Sequence, residues 1–424
     1  MAADRACLRL GRVSAHLLPL PRRAAANGRA AAATQPQLRV APFEFDVTPP
    51  IGTPLMNGGV DAAAEIKTPL TARGIVLLGV AGGPVVLCSV DWVGIGNESH
   101  DRLRVALARG CATSASRVAL HTIHQHDAPG ADSGVERLLA SHGLGGLSMV
   151  EPYLPEVAGQ FEAASREAFA SGGTAVTHVG VGSAEVERVA SNRHIMGPDG
   201  LVKLQRQSST GSNPEAAAAP EGVIDRSLRC LGLWHGERAL VSLSYYATHP
   251  MCGYGKGSVQ WDFIGMARKQ HEATLPSHAA AIHFTGAAGN VAAGKYNDGK
   301  PERKHQLAGR VAAAMLAAWA DASTHRGPVT ASEVAWHSEP VLLPLKADIA
   351  NLDEAALLAH VTNDEGALLG NNTSDDPRTV YPRLRAARDL EFARRVRAGR
   401  QIELTCLSFG SAACESSTKR ASDT

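Results

Sequence analysis

The sequence has no excess of either charge, no long apolar run and no paired cysteines, and each absence closes off a class of function. Lys and Arg number 42 against 41 Asp and Glu, a net charge of +1, so there is no electrostatic footprint for nucleic acid or an acidic partner surface. No apolar run reaches the ~20 residues needed to cross a bilayer, and no basic amphipathic helix of the membrane-surface kind is visible. The seven cysteines are scattered, with no Cys-x-x-Cys. An odd number without a framework argues against a disulfide scaffold, and most read as small buried hydrophobes. There is no internal repeat. What remains, 44% hydrophobic and 20% charged over 424 residues, is the composition of a globular protein with ample core. That length suits one large α/β unit or more than one domain.

Residues 1–38 are rich in Ala and Arg, and their one apolar stretch, Leu17-Leu18-Pro19-Leu20, is short and broken by proline. This is a poor export signal or a disordered leader, and it is set apart from the fold. A strand-like alternation from Val40 then runs into Thr48-Pro49-Pro50-Ile51-Gly52, where proline must leave the sheet. Residues 75–80 and 85–90 read as a hairpin around Gly82-Gly83-Pro84. A helix over 101–109, capped near Ser99, follows, and a second helix is expected over 153–170, ending before Gly172-Gly173. Residues 174–181 read as a strand, Ser191-Asn192-Arg193-His194 as a loop, and 207–222 as a mobile polar excursion. A second hairpin, 226–234 with 239–246, delivers His249 at a strand end. Residues 279–284 are another buried strand, and Leu307, Val311, Met315 and Trp319 repeat at helical spacing. The last ninety or so residues are less regular, with one further strand at 401–409. The pattern as a whole is α/β, with mixed β-sheets flanked by helices.

Chemistry concentrates in His121-Thr122-Ile123-His124-Gln125-His126-Asp127-Ala128-Pro129-Gly130, at the end of a strand beginning near Arg117. Side chains two apart on a strand share a face, so His124 and His126 project together and His121 points away. Two neutral imidazoles side by side suit a divalent transition metal, most often zinc. The bland alternative is a pair of surface or core histidines. His249, if it faces His124 from another strand end, strengthens the metal reading. Asp262 is either a ligand or ligand-orienting carboxylate, or a helix N-cap, and Asp91 is a further candidate oxygen ligand. The H-x-H-x-D-H pattern of metallo-β-lactamases fails on spacing, since Asp127 follows His126 directly and Ala128 stands next.

Several motifs, in order, resemble the catalytic N-terminal domain of the neutral/alkaline non-lysosomal ceramidase family. Asp46-Val47-Thr48-Pro49-Pro50-Ile51-Gly52 is similar to its opening D-[IV]-T-P-P-x-G, and Ser89-Val90-Asp91 to its S-x-D. His124 to Gly130 resembles H-T-H-S-G-P-G, Tyr246-Ala247-Thr248-His249-Pro250 resembles F-A-V-H-P, and Trp261-Asp262-Phe263-Ile264-Gly265 resembles A-D-F-P-G. The resemblance spans roughly residues 39–320. It implies zinc held by His124 and His249, with His126 lining the substrate pocket as the catalytic side chain and Arg193, in Asn192-Arg193-His194, facing the substrate. It also implies hydrolysis of an N-acyl amide, ceramide-like, to a fatty acid and a sphingoid base, through a metal-activated water. The substrate is then a small-molecule or lipid amide, and the family setting implies export.

The departures are specific. The family's G-D-V-S segment is Gly289-Asn290-Val291-Ala292 here, so its serine is an alanine. The P-G-E motif expected after residue 409 is replaced by Gly410-Ser411-Ala412-Ala413-Cys414-Glu415, and Glu415 does not inherit the zinc-ligand role. The expected organisation is therefore a leader over 1–38, a metal-hydrolase domain over 39–335, and an incomplete C-terminal part of that domain over 336–424. The alternative function is a catalytically impaired protein of the same fold.

Overall fold

The computed structural model of the protein describes residues 37–150, 153–362 and 377–410. The leader up to residue 36, and Glu415 with its neighbours, lie outside the described residues. Five strands, β1 (Arg39–Asp46), β2 (Thr71–Leu78), β3 (Val85–Val90), β4 (Val118–Thr122) and the short β5 (Thr174–Ala175), form one sheet in the order β4-β3-β2-β1-β5. A second five-stranded sheet contains β6 (His178–Glu185), β7 (Ser227–His235), β8 (Arg238–Tyr246), β9 (Ala280–Thr285) and β10 (Gly327–Pro328), ordered β9-β8-β7-β6-β10. Each sheet has one parallel pair at one edge, β3 with β4 and β8 with β9. The remaining pairings are antiparallel. The expectation of an α/β protein with mixed sheets flanked by helices holds.

Strand periodicity explains how the layers assemble. Successive side chains on β2 point to opposite faces. Ile75 and Leu77 join Val85, Leu233, Val241 and Ile282 in a cluster between the two sheets. Val76 instead joins Val86, Leu103, Val157 and Phe161 beneath α1 (Asn97–Gly110) and α3 (Tyr153–Ala170). With both faces covered, β2 is buried along nearly its whole length, and its second half, Ile75–Leu78, reads as a continuous apolar run. On the second sheet the covering helices are α4 (Phe263–Thr274) and α5 (Glu302–Thr324), and Leu307, Val311, Met315 and Trp319 of α5 are all buried as their spacing predicts. Gly180 and Gly182 on β6 allow α5 to sit this close. A Cβ at either position would come within 2.1 or 2.2 Å of the backbone of Ala322.

The elements differ from the sequence reading in five places. Residues 174–181 are two strands in different sheets, and the chain crosses between them at Val176 and Thr177. There Val176 N–H donates to Leu38 and Thr177 N–H to Trp234, each at 2.8 Å. An apolar alternation cannot reveal that crossing, because both sheets bury it. The stretch 191–194 is not loop: Ser191–Asn192 pairs with Val291–Ala292, and His194–Met196 with Val202–Gln205. The excursion at 207–222 is pinned down, with a short helix, Pro214–Ala218, capped by Asn213. The buried Arg206 guanidinium donates to the carbonyls of Ala216, Ala219 and Pro220. Helix α1 starts from Gly96, and Ser99 bonds to Ser133 of α2 (Ser133–Ala140) instead of capping. Finally, the region after residue 336 carries regular structure. Strand β11 (Val334–Val341) pairs with β12 (Ile402–Phe409), and α6 (Glu354–Thr362) and α7 (Pro377–Arg397) pack onto α2 through Leu357, Val361, Leu384, Ala387 and Leu390. The density of arginine in α7 hid its short apolar stripe.

Candidate metal centre

Both parallel strand pairs end at the same place. This is where α/β proteins collect functional residues, since parallel neighbours splay their carboxyl ends open. Beyond β4, Ile123 N–H still donates to Val90 and His124 N–H to Trp92, but the strand has ended. His124 takes φ +64°, a left-handed conformation that a non-glycine residue adopts only under constraint and that collects at functional sites. It is therefore this turn, and not strand alternation, that sets His124 beside His126. Beyond β8, His249 is fastened to the strand at Val291 by its backbone N–H at 3.0 Å and by a bridge to Ala292.

The three imidazoles converge. One nitrogen from each of His124, His126 and His249 lies within 4.8 Å of the others. The rings stand nearly perpendicular in pairs, with centroids 5.3 Å (His124–His126), 4.6 Å (His124–His249) and 6.0 Å (His126–His249) apart. His124 Nδ1–H donates to the Val93 carbonyl at 2.5 Å. His249 Nδ1–H is shared between the carbonyls of Ala288, 2.5 Å, and Val291, 3.2 Å. These bonds fix the tautomer and leave each Nε2 with its lone pair free, the usual outer support of a metal-binding histidine. The buried Nδ1 of His126 has no hydrogen-bond partner among the described residues. Burial, with His249 alongside, pushes His124 down to about 4. Burial and the neighbouring His124, His249 and Arg193 hold His126 well below the usual imidazole range. Burial also lowers His249, against the upward pull of its two carbonyl bonds. All three are therefore neutral near pH 7, the state a metal requires. Among the described residues no Asp, Glu or Cys joins the group. Three imidazoles with an open side are nonetheless a donor set that suits a catalytic zinc.

The candidate oxygen ligands are engaged elsewhere. Asp91 is fully buried in a two-pronged ion pair with Arg268, at 2.5 and 2.8 Å, and also accepts from Thr71. Asp262 caps α4, and its second oxygen takes the Cys252 N–H at 2.7 Å, so the N-cap reading is the one the structure bears out. His121 is turned away, its Nε2 accepting from Thr285 N–H at 3.0 Å.

The three histidines line an open cavity of about 890 Å³ together with Arg193. Arg193 is held by backbone bonds to Asn290 and Arg206 and donates through Nε to the Arg206 carbonyl at 3.3 Å. Ala292 is fully buried and is not part of the cavity wall, which Gly289 reaches instead. Residues missed from the sequence complete the wall. Tyr254 meets His126 edge-on at 4.6 Å, and Lys346, Arg385 and Arg388 come from the C-terminal region. Tyr254 carried a faint signal, an aromatic between two glycines five residues after His249. The arginines of α7 carried none.

A mixed α/β sandwich with three imidazoles gathered at the ends of two parallel strand pairs, open to a cavity, is an architecture compatible with a bound metal. No family model matches the sequence, and no curated protein sequence matches it. Solved structures similar to it include two of ceramidases. One is a ceramidase complexed with C2, with a TM-score of 0.54 and 18% identity over 74% of this chain and 48% of that one. The other is neutral ceramidase from Pseudomonas aeruginosa, with a TM-score of 0.54 and 17% identity over 74% of this chain and 50% of that one. The protein has the fold seen in these ceramidases, and it spans about half of their length.

Proposed function

We propose that the chain is a metal-dependent hydrolase of an N-acyl amide, with zinc held by His124 and His249. The observation that carries this reading is the convergence of three neutral imidazoles, two of them with their outer nitrogens tied to backbone carbonyls. A bound zinc supplies Lewis acidity toward a carbonyl and toward water. The Val93 and Ala288 carbonyls aim the two ligand rings. His126, kept neutral by burial and with its Nδ1 buried, turns its Nε2 to the substrate amide, as donor or acceptor according to the tautomer. Arg193, which lines the same cavity, faces the substrate. The cavity volume falls in the range of small-molecule sites, and the ceramidase names of the similar structures supply the amide class, ceramide-like, with a lipid or small-molecule substrate. Purified protein should hold one zinc per chain and release fatty acid from an N-acylated sphingoid base, and His124→Ala should abolish both. Absence of stoichiometric zinc by elemental analysis would sink the proposal.

A second reading, a protein of this fold without activity, is favoured by Ala292, which stands where the family has serine. Fatty-acid release that disappears in His124→Ala rules it out.

A further inference from the structure

The cavity wall has an unusual electrostatic make-up for a site meant to take a neutral lipid amide. Four cationic side chains line it: Arg193, Lys346, Arg385 and Arg388. Two carboxylates face the same space, Asp132 and Asp389. Asp132 is already committed: it caps α2 through Val135 N–H and accepts from Asn97 at 2.7 Å, and burial raises its carboxyl above the usual range. Arg385 and Arg388 sit one turn apart on α7, exposed to the cavity, and neither makes a hydrogen bond or ion pair with any described residue. Arg193 uses only its Nε. Arg388 acts on His124 and Asp132, and Arg193 on His126 and His249. Arginines elsewhere in the protein find carboxylates readily, as Arg268 does with Asp91 and Arg395 of α7 does with Asp101. Arg385 and Arg388 share the cavity wall with Asp132 and Asp389 but form no ion pair with either, and their two adjacent guanidiniums present forked donors that match a planar anion in two-pronged fashion.

We propose that the substrate carries an anionic group of the carboxylate kind, bound by Arg385 and Arg388 with Lys346 beside them, so that the site takes a charged N-acyl amide such as an N-acyl amino acid in preference to a neutral one. This rests on the hydrolase reading for the word substrate, while the anion site itself stands on the wall residues. The test compares N-lauroylglycine with N-lauroylethanolamine, which differ in a carboxylate against a hydroxyl. Binding is read by calorimetry on chelator-treated full chain, so that neither turnover nor a bound cation contributes, and laurate release is read separately on the zinc-supplied protein. The expected result is at least tenfold tighter binding of N-lauroylglycine, weakening as salt is raised, with the preference falling to about threefold or less in R385Q/R388Q. Arg388→Gln alone should lose part of the preference, which keeps the test open should the double variant fold poorly. Equal binding of the two probes, or a preference unchanged in both variants, overturns the anion site whatever the turnover result. A preserved, arginine-dependent preference with no laurate released from either probe supports the anion site and sinks the hydrolase reading alone.

Discussion

The turn at His124 shows how much depends on single residues. Its left-handed backbone and the short bond from Nδ1 to Val93 hold one imidazole against another with little freedom. Replacing His249 or His124 by alanine should lower bound zinc from about one per chain to near zero, measured by elemental analysis, and cut amide hydrolysis by a factor on the order of 10³ or more. His126→Ala separates two roles for that side chain. If it faces the substrate, zinc stays bound while kcat falls by roughly 10²–10⁴; loss of zinc would make it a third ligand instead. Asp91 illustrates the opposite case, a chemically promising carboxylate spent on structure. Arg268→Met leaves Asp91 charged in the core with only the Thr71 hydrogen bonds and no counter-charge paired to it and should cost about 3–5 kcal/mol in urea unfolding. Arg268→Met combined with Asp91→Leu should recover most of that loss. A double variant no more stable than the single one would remove the ion pair from the account.

Elements position the site through their ends. Both histidine-bearing segments leave the sheets at the carboxyl ends of parallel pairs, and the helices that follow are anchored by caps. Asp262 caps α4 and also holds the Cys252 N–H of the loop that follows His249. Asp262→Ala should therefore destabilise the protein by about 1–2 kcal/mol, with bound zinc unchanged at temperatures where the variant is folded. Loss of zinc in the folded variant would place Asp262 in the metal site. At this scale the sequence was legible wherever a pattern had one cause. The two hairpins, the helix at 153–170 and the buried stripe of α5 all follow from period and turn chemistry. The crossing at Val176 and Thr177 was not legible, because the chain passes between two sheets that bury it equally. Nor was α7, whose arginines serve the cavity on one side and the surface on the other.

On the scale of the whole molecule, the sandwich buries titratable groups that do not line the cavity. Burial pushes His283 down to about 3 and His271 to about 4, against an ordinary value near 6.5. The unfolded chain takes up protons below pH 6.5 that the folded chain refuses. This stability is therefore fully present above pH 6.5 and is lost as pH falls toward 4 and then 3. Urea unfolding at pH 7.5, 6 and 5 should show stability declining, with a slope approaching ~1.4 kcal/mol per pH unit for each such histidine. His283→Gln should make the decline shallower by about one proton's worth. An unchanged slope would show that His283 is not the responsible group.

The sequence by itself determined the class of fold, the two hairpins and the residues able to carry metal chemistry, because hydrophobic period and histidine spacing are local properties. Tertiary structure decided which of those residues meet. Asp91 and Asp262 passed to structural duty because Arg268 and the start of α4 lie beside them. His249 came to stand 4.6 Å from His124, and a helix from the far end of the chain lent its arginines to the cavity wall. Convergence of residues more than a hundred positions apart depends on how sheets and helices stack, and a linear pattern does not encode that.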